Sequence, residues 1–271
     1  MEAHSPYHPP RDYLVPYLGD DVDKAKELSI DAGTWTYISG KEQKTTEDFR
    51  ILNALYDGEL LYLDFRIGQL LDYLREINIM DDTILIITAD HGENFGDHQL
   101  MGHCLCVYDT LVHVPLIIRY PKSFDPGLRV DEQVQTTDLY PTILDIIGID
   151  WNGGEQIQGC NLLKDIEHRP SAFAIAEHAF CLDAFKVLMG KNGDLDILKF
   201  VRRLKTIRIG EYKYIWASDG RDELYNIRLD SEELDNLIDD EPEKAEELKA
   251  LLIEWLESFE TFRPGAAQQV K

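Results

Sequence analysis

Asp90 and His91 follow directly on the apolar run Thr83–Thr88 and are themselves followed by Gly92-Glu93. A carboxylate and an imidazole on adjacent residues can both reach one metal ion, and divalent ions accept such oxygen and nitrogen ligands. Two more histidines occur in the same glycine-rich stretch, in Gly96-Asp97-His98 and Gly102-His103. Metal binding or acid–base catalysis is one reading of this stretch, and a solvated polar loop is the other. A second histidine-bearing segment opens the chain as His4-Ser5-Pro6-Tyr7-His8-Pro9-Pro10. Its prolines make it a rigid loop, although taken alone it also reads as a loose terminus. Cys104 and Cys106 lie beside His103 and allow a zinc reading, but no second cysteine pair accompanies them. The other two cysteines are Cys160 and Cys181, and four in 271 residues do not make a disulfide scaffold. Reduced, partly buried thiols are the plain alternative.

These residues need elements to hold them. Thr83–Thr88 is β-branched and nearly all apolar, which predicts a strand buried on both faces in a parallel sheet covered by helices. Asp90 and His91 then sit where open α/β sheets carry their sites, at a strand's carboxyl end. Val114–Arg119 predicts a second such strand. Before them, Thr45–Ile79 predicts a long helix whose Tyr56, Leu60, Leu63, Ile67, Leu70 and Leu74 share one core-packing face. Thr137–Ile147 predicts a helix with Asp138 near its start and Gly148 as its stop. After about residue 195 the pattern changes. Leu204–Trp216 reads as two strands around Gly210-Glu211, and Glu223–Asn226 as another extended piece. Glu241–Phe259 reads as a closing helix with Leu248, Leu251, Leu252, Trp255 and Phe259 on its apolar side.

Composition narrows the class. Hydrophobic residues are 44% of the chain, enough for a packed core. Lys plus Arg total 27 against 51 Asp plus Glu, a formal net charge of −24. Such acidity disfavours binding to nucleic acid. The longest apolar runs fall far short of the roughly 20 residues needed to cross a bilayer. Met1–Tyr7 lacks the features of a signal peptide, so a genuine start at Met1 would place the chain in the cytoplasm.

The run Asp90-His91-Gly92-Glu93-Asn94-Phe95-Gly96-Asp97-His98, with Gly102-His103, Tyr108-Asp109 and Val114-Pro115-Leu116-Ile117-Ile118-Arg119 behind it, resembles the second half of a sulfatase. Sulfatases are metal-dependent hydrolases of the alkaline phosphatase superfamily. His4–Pro10 resembles that family's His-x-Pro-Tyr-x-Pro-Pro loop. Thr137–Asp145 resembles its Asp-Leu-x-Pro-Thr helix, and Arg208–Ile215 with Glu223–Asn226 its C-terminal subdomain. The likeness covers almost the whole chain, in matching order.

The resemblance implies a partial alkaline-phosphatase-like α/β sandwich, a mixed and mostly parallel sheet between helices, with a small C-terminal antiparallel sheet plus helix. Residues 1–195 would belong to the catalytic domain, 196–265 to the C-terminal subdomain and 266–271 to a tail. It implies hydrolysis of a small-molecule or glycan sulfate ester with one divalent cation, Ca²⁺ by family usage. Asp90 would be the metal carboxylate, and His91 matches a position next to the metal that holds Asn or His in relatives. His4 matches the histidine that contacts sulfate or the leaving oxygen. His103 falls where many relatives have a sulfate-binding Lys. Both would be catalytic and substrate-binding. Glu177-His178 falls near the family's substrate rim. The family's nucleophile is a formylglycine made from Cys or Ser in Cys-x-Pro-Ser-Arg or a close variant. No such motif occurs here, so the nucleophile and the formylglycine are expected upstream of Met1, in an N-terminal half encoded elsewhere or missing from this sequence. Such a chain would be a poor hydrolase alone, with exposed sheet edges and apolar faces. A phosphatase, a phosphonate monoester hydrolase or a phosphoglycerol transferase of the same superfamily is the nearest alternative. A non-catalytic interaction protein or gene remnant is the alternative of another class.

Overall fold

The computed structural model of the chain describes residues 3–25, 33–149, 158–164, 173–179 and 200–258. They fall into two compact units. The first draws on residues within Met1–Leu105 and His113–Pro126. The second draws on those within Cys106–Val112, Gly127–Phe180 and Arg202–Lys271.

In the first unit, helix α1 spans Arg11–Leu18, the short α2 Thr34–Ile38 and the long α3 Thr46–Glu76. Thr45 starts α3 with a capping box. Its hydroxyl accepts from Asp48 N–H at 3.1 Å, and the Asp48 carboxylate accepts from Thr45 N–H at 2.7 Å. The Thr45 N–H, and then the Thr45 hydroxyl, donating to it hold the Asp48 carboxyl below the usual carboxylate range. Leu14 and Leu18 of α1 join Ile51, Ala54 and Leu55 of α3 in one core cluster with Tyr7, Val22 and Ala25.

The opening loop is therefore part of the fold. Tyr7 is buried in that cluster, and His8 N–H donates to Glu59 Oε1 at 2.6 Å. Gly58 makes the approach possible, since a Cβ there would lie 3.0 Å from Pro9. Of the apolar face expected on α3, only its upstream surroundings are deeply covered. Leu60 and Leu70 are exposed, as are Phe65 and Tyr73, and the core cluster that α1 shares with this helix draws only on Ile51, Ala54 and Leu55.

Strands β1 (Leu85–Thr88) and β4 (Leu116–Arg119) form one two-stranded sheet; β2 (Asn94–Phe95) and β3 (Met101–Gly102) form a hairpin. β1 pairs with β4 antiparallel, with Ile86 opposite Ile118. This differs from the parallel, doubly covered strand expected from the apolar run. With β4 as its one neighbour among the described residues, β1 is half-buried, and Ile117 of β4 is 58% exposed. Every ladder among the described residues is antiparallel.

The second unit contains α4 (Asp109–Val112), α5 (Leu139–Ile146) and α6 (Pro242–Glu257). Its sheet has the order β5 (Phe173–His178), β6 (Leu204–Ile209), β7 (Tyr212–Ala217), β8 (Glu223–Asn226). The hairpin at Gly210 and the strand β8 stand where the sequence placed them; β5 was not foreseen. Leu248 and Leu252 of α6 pack on Ile207, Tyr214 and Leu224. Asp138 is more than a helix start. It is fully buried, and its carboxylate accepts from Gln135 N–H at 2.7 Å and Cys160 N–H at 2.8 Å. Cys181, Phe259 and the segment 151–157 lie outside the described residues. None of the described helices is long and apolar enough to cross a membrane.

Candidate functional site

Two residues past the end of β1, Asp90 projects a carboxylate that is 91% exposed. His91 follows, and its Nδ1 lies 2.8 Å from the carbonyl of Gly92. A carbonyl only accepts, so Nδ1 carries the proton and Nε2 keeps a lone pair. That Nε2 is 3.8 Å from Asp90 Oδ1.

The β2–β3 hairpin brings in His103. Asn94 faces Gly102 in the ladder, so Glu93 and His103, one position further on, are cross-strand neighbours. The buried Asn94 side chain donates to Gly102 O at 3.1 Å and fixes the hairpin, while Gly102 takes φ +77°, which favours glycine. His103 Nδ1 is 3.3 Å from each oxygen of Glu93. The Glu93 side chain is only 3% exposed.

The opening loop adds His4. Its ring centroid is 4.9 Å from that of His103, and its Nδ1 is 2.7 Å from Ser5 O. On the other side of His103, His91 stacks at 4.3 Å with the planes 17° apart. All four residues singled out from the sequence therefore converge, with His103 between His4 and His91. Each of the three imidazoles commits Nδ1 to a protein oxygen. Beside His103 opens a cavity of about 180 Å³ walled by Ser5, Tyr7, Trp35, Phe95 and Met101. Burial, then the Glu93 charge, pushes the Tyr7 phenol well above its ordinary range.

Two observations bear on a metal ion. Asp90 and His91 suit one: their donor atoms are close enough for both to reach a cation at about 2.3–2.6 Å, and the Gly92 carbonyl orients the imidazole as acceptors orient ligating histidines. They are not sufficient, because no group of three or more His, Cys, Asp or Glu among the described residues could hold a metal. The zinc reading of His103, Cys104 and Cys106 fails for the same reason.

Glu177 forms an ion pair with Lys205, and His178 presents a buried Nε2 without a hydrogen-bond partner among the described residues. A wider hollow of about 380 Å³ in the second unit is lined by Asp222 and Lys249, which pair with each other, and it holds no imidazole. Glu93 carries no task that its sequence neighbours announce. The only local signal was its place at the mouth of a hairpin framed by Gly96 and Gly102.

A family model described as Sulfatase matches residues 1–149, and one described as N-sulphoglucosamine sulphohydrolase, C-terminal, matches residues 96–261. Among curated relatives, Arylsulfatase K of Danio rerio is 29% identical over 211 residues, covering 77% of this chain and 38% of the relative. An Arylsulfatase of Clostridium perfringens is 26% identical over 280 residues, covering 96% and 53%. The chain thus spans about half or less of these relatives' length. Among solved structures, BT4656 in complex with its substrate D-glucosamine-2-N,6-O-disulfate superposes with a TM-score of 0.68 at 24% identity, over 92% of this chain and 49% of that one. A phosphonate monoester hydrolase of Agrobacterium radiobacter gives 0.65 at 26%, over 79% and 43%. These likenesses bear out the partial α/β fold class.

Proposed function

The chain belongs to the sulfatase family of the alkaline phosphatase superfamily, and on that premise we propose that it carries the cation-binding and sulfate-binding half of a sulfate-ester hydrolase site. The observation that supports this most directly is the contact series His4–His103–His91 beside Asp90. Asp90 and His91 hold the divalent cation, Ca²⁺ by family usage, which when bound neutralises charge on the sulfate oxygens. His4 and His103 bind the sulfate as protonated rings, each donating Nε2–H to a sulfate oxygen. Donors fixed where charge develops lower the barrier to S–O cleavage. The ester's ring occupies the 180 Å³ cavity. About 150 Å³ suffices for a benzene ring, so the cavity fits one six-membered ring, aryl or sugar.

The family generally uses a metal ion and formylglycine. None of the four cysteines here stands in Cys-x-Pro-Ser-Arg, and no serine stands in its Ser counterpart. We place the nucleophile, and the remaining metal ligands, on polypeptide outside these 271 residues. The chain alone then binds without turning over.

Thermal unfolding with added Ca²⁺ tests the reading. A ligand that binds only the folded state raises stability as its concentration grows. With a partner polypeptide that bears Cys-x-Pro-Ser-Arg and the remaining ligands present, we expect a rise with Ca²⁺ and turnover of an aryl sulfate, both abolished by Asp90→Asn, and without it no turnover. An equal rise in Asp90→Asn, or none in either protein, would sink the assignment and favour the non-catalytic reading. The likeness to a phosphonate monoester hydrolase supports a second reading, in which the same site takes a phosphorus ester. Competition between an aryl sulfate and a phenylphosphonate ester in the reconstituted protein separates the two.

A further inference from the structure

We propose that Trp35 is the specificity-determining residue of this site: its indole stacks on the ring of the ester and selects a six-membered ring that carries no charge. The inference rests on the reading that seats the ester's ring in the 180 Å³ cavity, and it names what that cavity chooses.

The cavity has two kinds of wall. Tyr7 and Met101 are buried, and the Tyr7 and Phe95 rings meet at 5.9 Å, with Tyr56 against both. Those side chains are packed into the core. Trp35 lines the same cavity from α2, is only partly buried, and meets no other aromatic ring among the described residues. Its indole N–H has no protein acceptor among them either. A covered Trp ordinarily gives its face to an apolar neighbour and its N–H to an acceptor. Here both are left for a molecule in the cavity.

Helix α2 keeps its place without Trp35. Gly102 has no side chain, and a Cβ there would lie 3.3 Å from Thr34 Cγ2, so the start of α2 rests directly on the β2–β3 hairpin. The Thr36 hydroxyl donates to Glu42 Oε2 at 2.6 Å. Tyr37 meets Phe49 of α3 edge-on at 5.4 Å, and the Phe49 ring in turn covers Gly96, where a Cβ would lie 2.9 Å from it. Ile38 is buried. Residues 34, 36, 37 and 38 thus fix the helix and leave Trp35 at the cavity. A stacking surface fixed in advance adds affinity without an ordering cost.

Charge sets the rest of the choice. Among the residues that line the cavity none is Lys or Arg, and Glu93 stands in its wall. A ring bearing a carboxylate finds no lysine or arginine there and lies beside an acid, in a chain whose net charge is −24. A phenyl ring or an uncharged sugar ring meets neither obstacle. His103 lines the same cavity, so a ring seated against Trp35 is within one bond system of a sulfate held at that imidazole.

The test titrates the full chain by calorimetry and by the ¹H–¹⁵N signal of the Trp35 indole, identified as the one missing from Trp35→Phe. Phenol supplies the ring without the anion, inorganic sulfate the anion without the ring, and phenyl sulfate both. A fourth probe, 4-sulfooxybenzoate, adds a carboxylate to the ring. We expect phenol and phenyl sulfate to move the indole signal. Trp35→Ala should weaken both by about tenfold and leave inorganic sulfate binding as in wild type. Trp35→Phe should keep most of the affinity. The carboxylate probe should bind wild type about tenfold or more weakly than phenyl sulfate. Trp35→Ala that binds phenyl sulfate as wild type does overturns this proposal alone, and so does a carboxylate probe that binds as tightly as phenyl sulfate. An equal loss of inorganic sulfate and phenyl sulfate in Trp35→Ala marks a structural role and also overturns it. If Trp35→Ala does not fold, the wild-type indole decides, because a signal that bound phenyl sulfate leaves in place overturns the stack. A wild type that takes neither inorganic sulfate nor phenyl sulfate removes the sulfate reading, and this proposal with it.

Discussion

His4, His91 and His103 show what a protein must do before an imidazole is useful. Each ring gives Nδ1 to an oxygen of the chain, so that Nε2 has a defined character. His178 shows the opposite treatment. Its Nε2 is buried without a hydrogen-bond partner among the described residues, and burial, then the nearby Arg202 guanidinium, pushes its basicity below the ordinary value. Arg202 is held in place by Glu223 at 2.9 Å. The consequence for stability has a definite sign. An unfolded histidine takes up a proton near pH 6.5, whereas folded His178 resists it. The stability associated with keeping His178 neutral is therefore fully present above about pH 6.5 and is lost as pH falls towards the depressed folded value. Urea unfolding of wild type and His178→Gln at pH 7.5 and pH 5.5 checks this. Wild type should lose more stability than the variant on acidification, and an equal loss would show that His178 titrates freely.

Among the elements, the hairpin β6–β7 carries the most exacting residue. Lys213 on β7 is 1% exposed and reaches Asp109 and Glu233, both at 2.7 Å, while Arg208 on β6 also holds Asp109 at 2.8 Å. Burial outweighs the attraction of Lys213 and holds the Glu233 carboxyl above its usual range. Lys213→Met should cost about 3–5 kcal/mol in urea unfolding, because it leaves two buried carboxylates without their ammonium. Adding Glu233→Leu to Lys213→Met should recover part of that loss. Nothing in the spacing of residues announces this triad, since Asp109 lies some hundred positions before its partner. The same limit governs what else was legible. The helix α3 was, because an apolar step of three and four is a local property, and so was the turn at Gly210. The direction of β1 was not: an apolar run from Leu85 to Ile87 states how much surface a strand can bury and not which neighbour buries it. β5 was missed because its alternation of Phe173 and Ile175 with alanines is weak, and its place is set by pairing with β6. At the site, Asp90, His91 and His103 were visible from their setting among glycines. His4 entered the site by family likeness, and the contact between Glu93 and His103 required the register of β2 on β3.

At the scale of the whole chain, two opposed surfaces must be reconciled. A net charge of −24 repels itself and repels other copies, which disfavours the compact state and favours dispersion. Against this stands apolar surface in the first unit, with Leu70 51% and Tyr73 55% exposed on α3 and Ile117 58% exposed on β4. Apolar area of that kind drives association when nothing covers it. Salt acts on the first of these and leaves the second nearly untouched. Raising ionic strength from about 0.01 M to about 1 M shortens the screening length from about 30 Å to about 3 Å. Two effects should then appear together. The urea midpoint of the dilute protein should rise, because self-repulsion is screened, and sedimentation velocity should reveal association that is absent at low salt. Leu70→Glu separates them. It should suppress the association at high salt and leave the gain in midpoint, because repulsion within one chain does not depend on the exposed face of α3. If Leu70→Glu associates as wild type does, that face of α3 is not the surface through which the copies meet, and the association must run through other apolar residues such as Ile117.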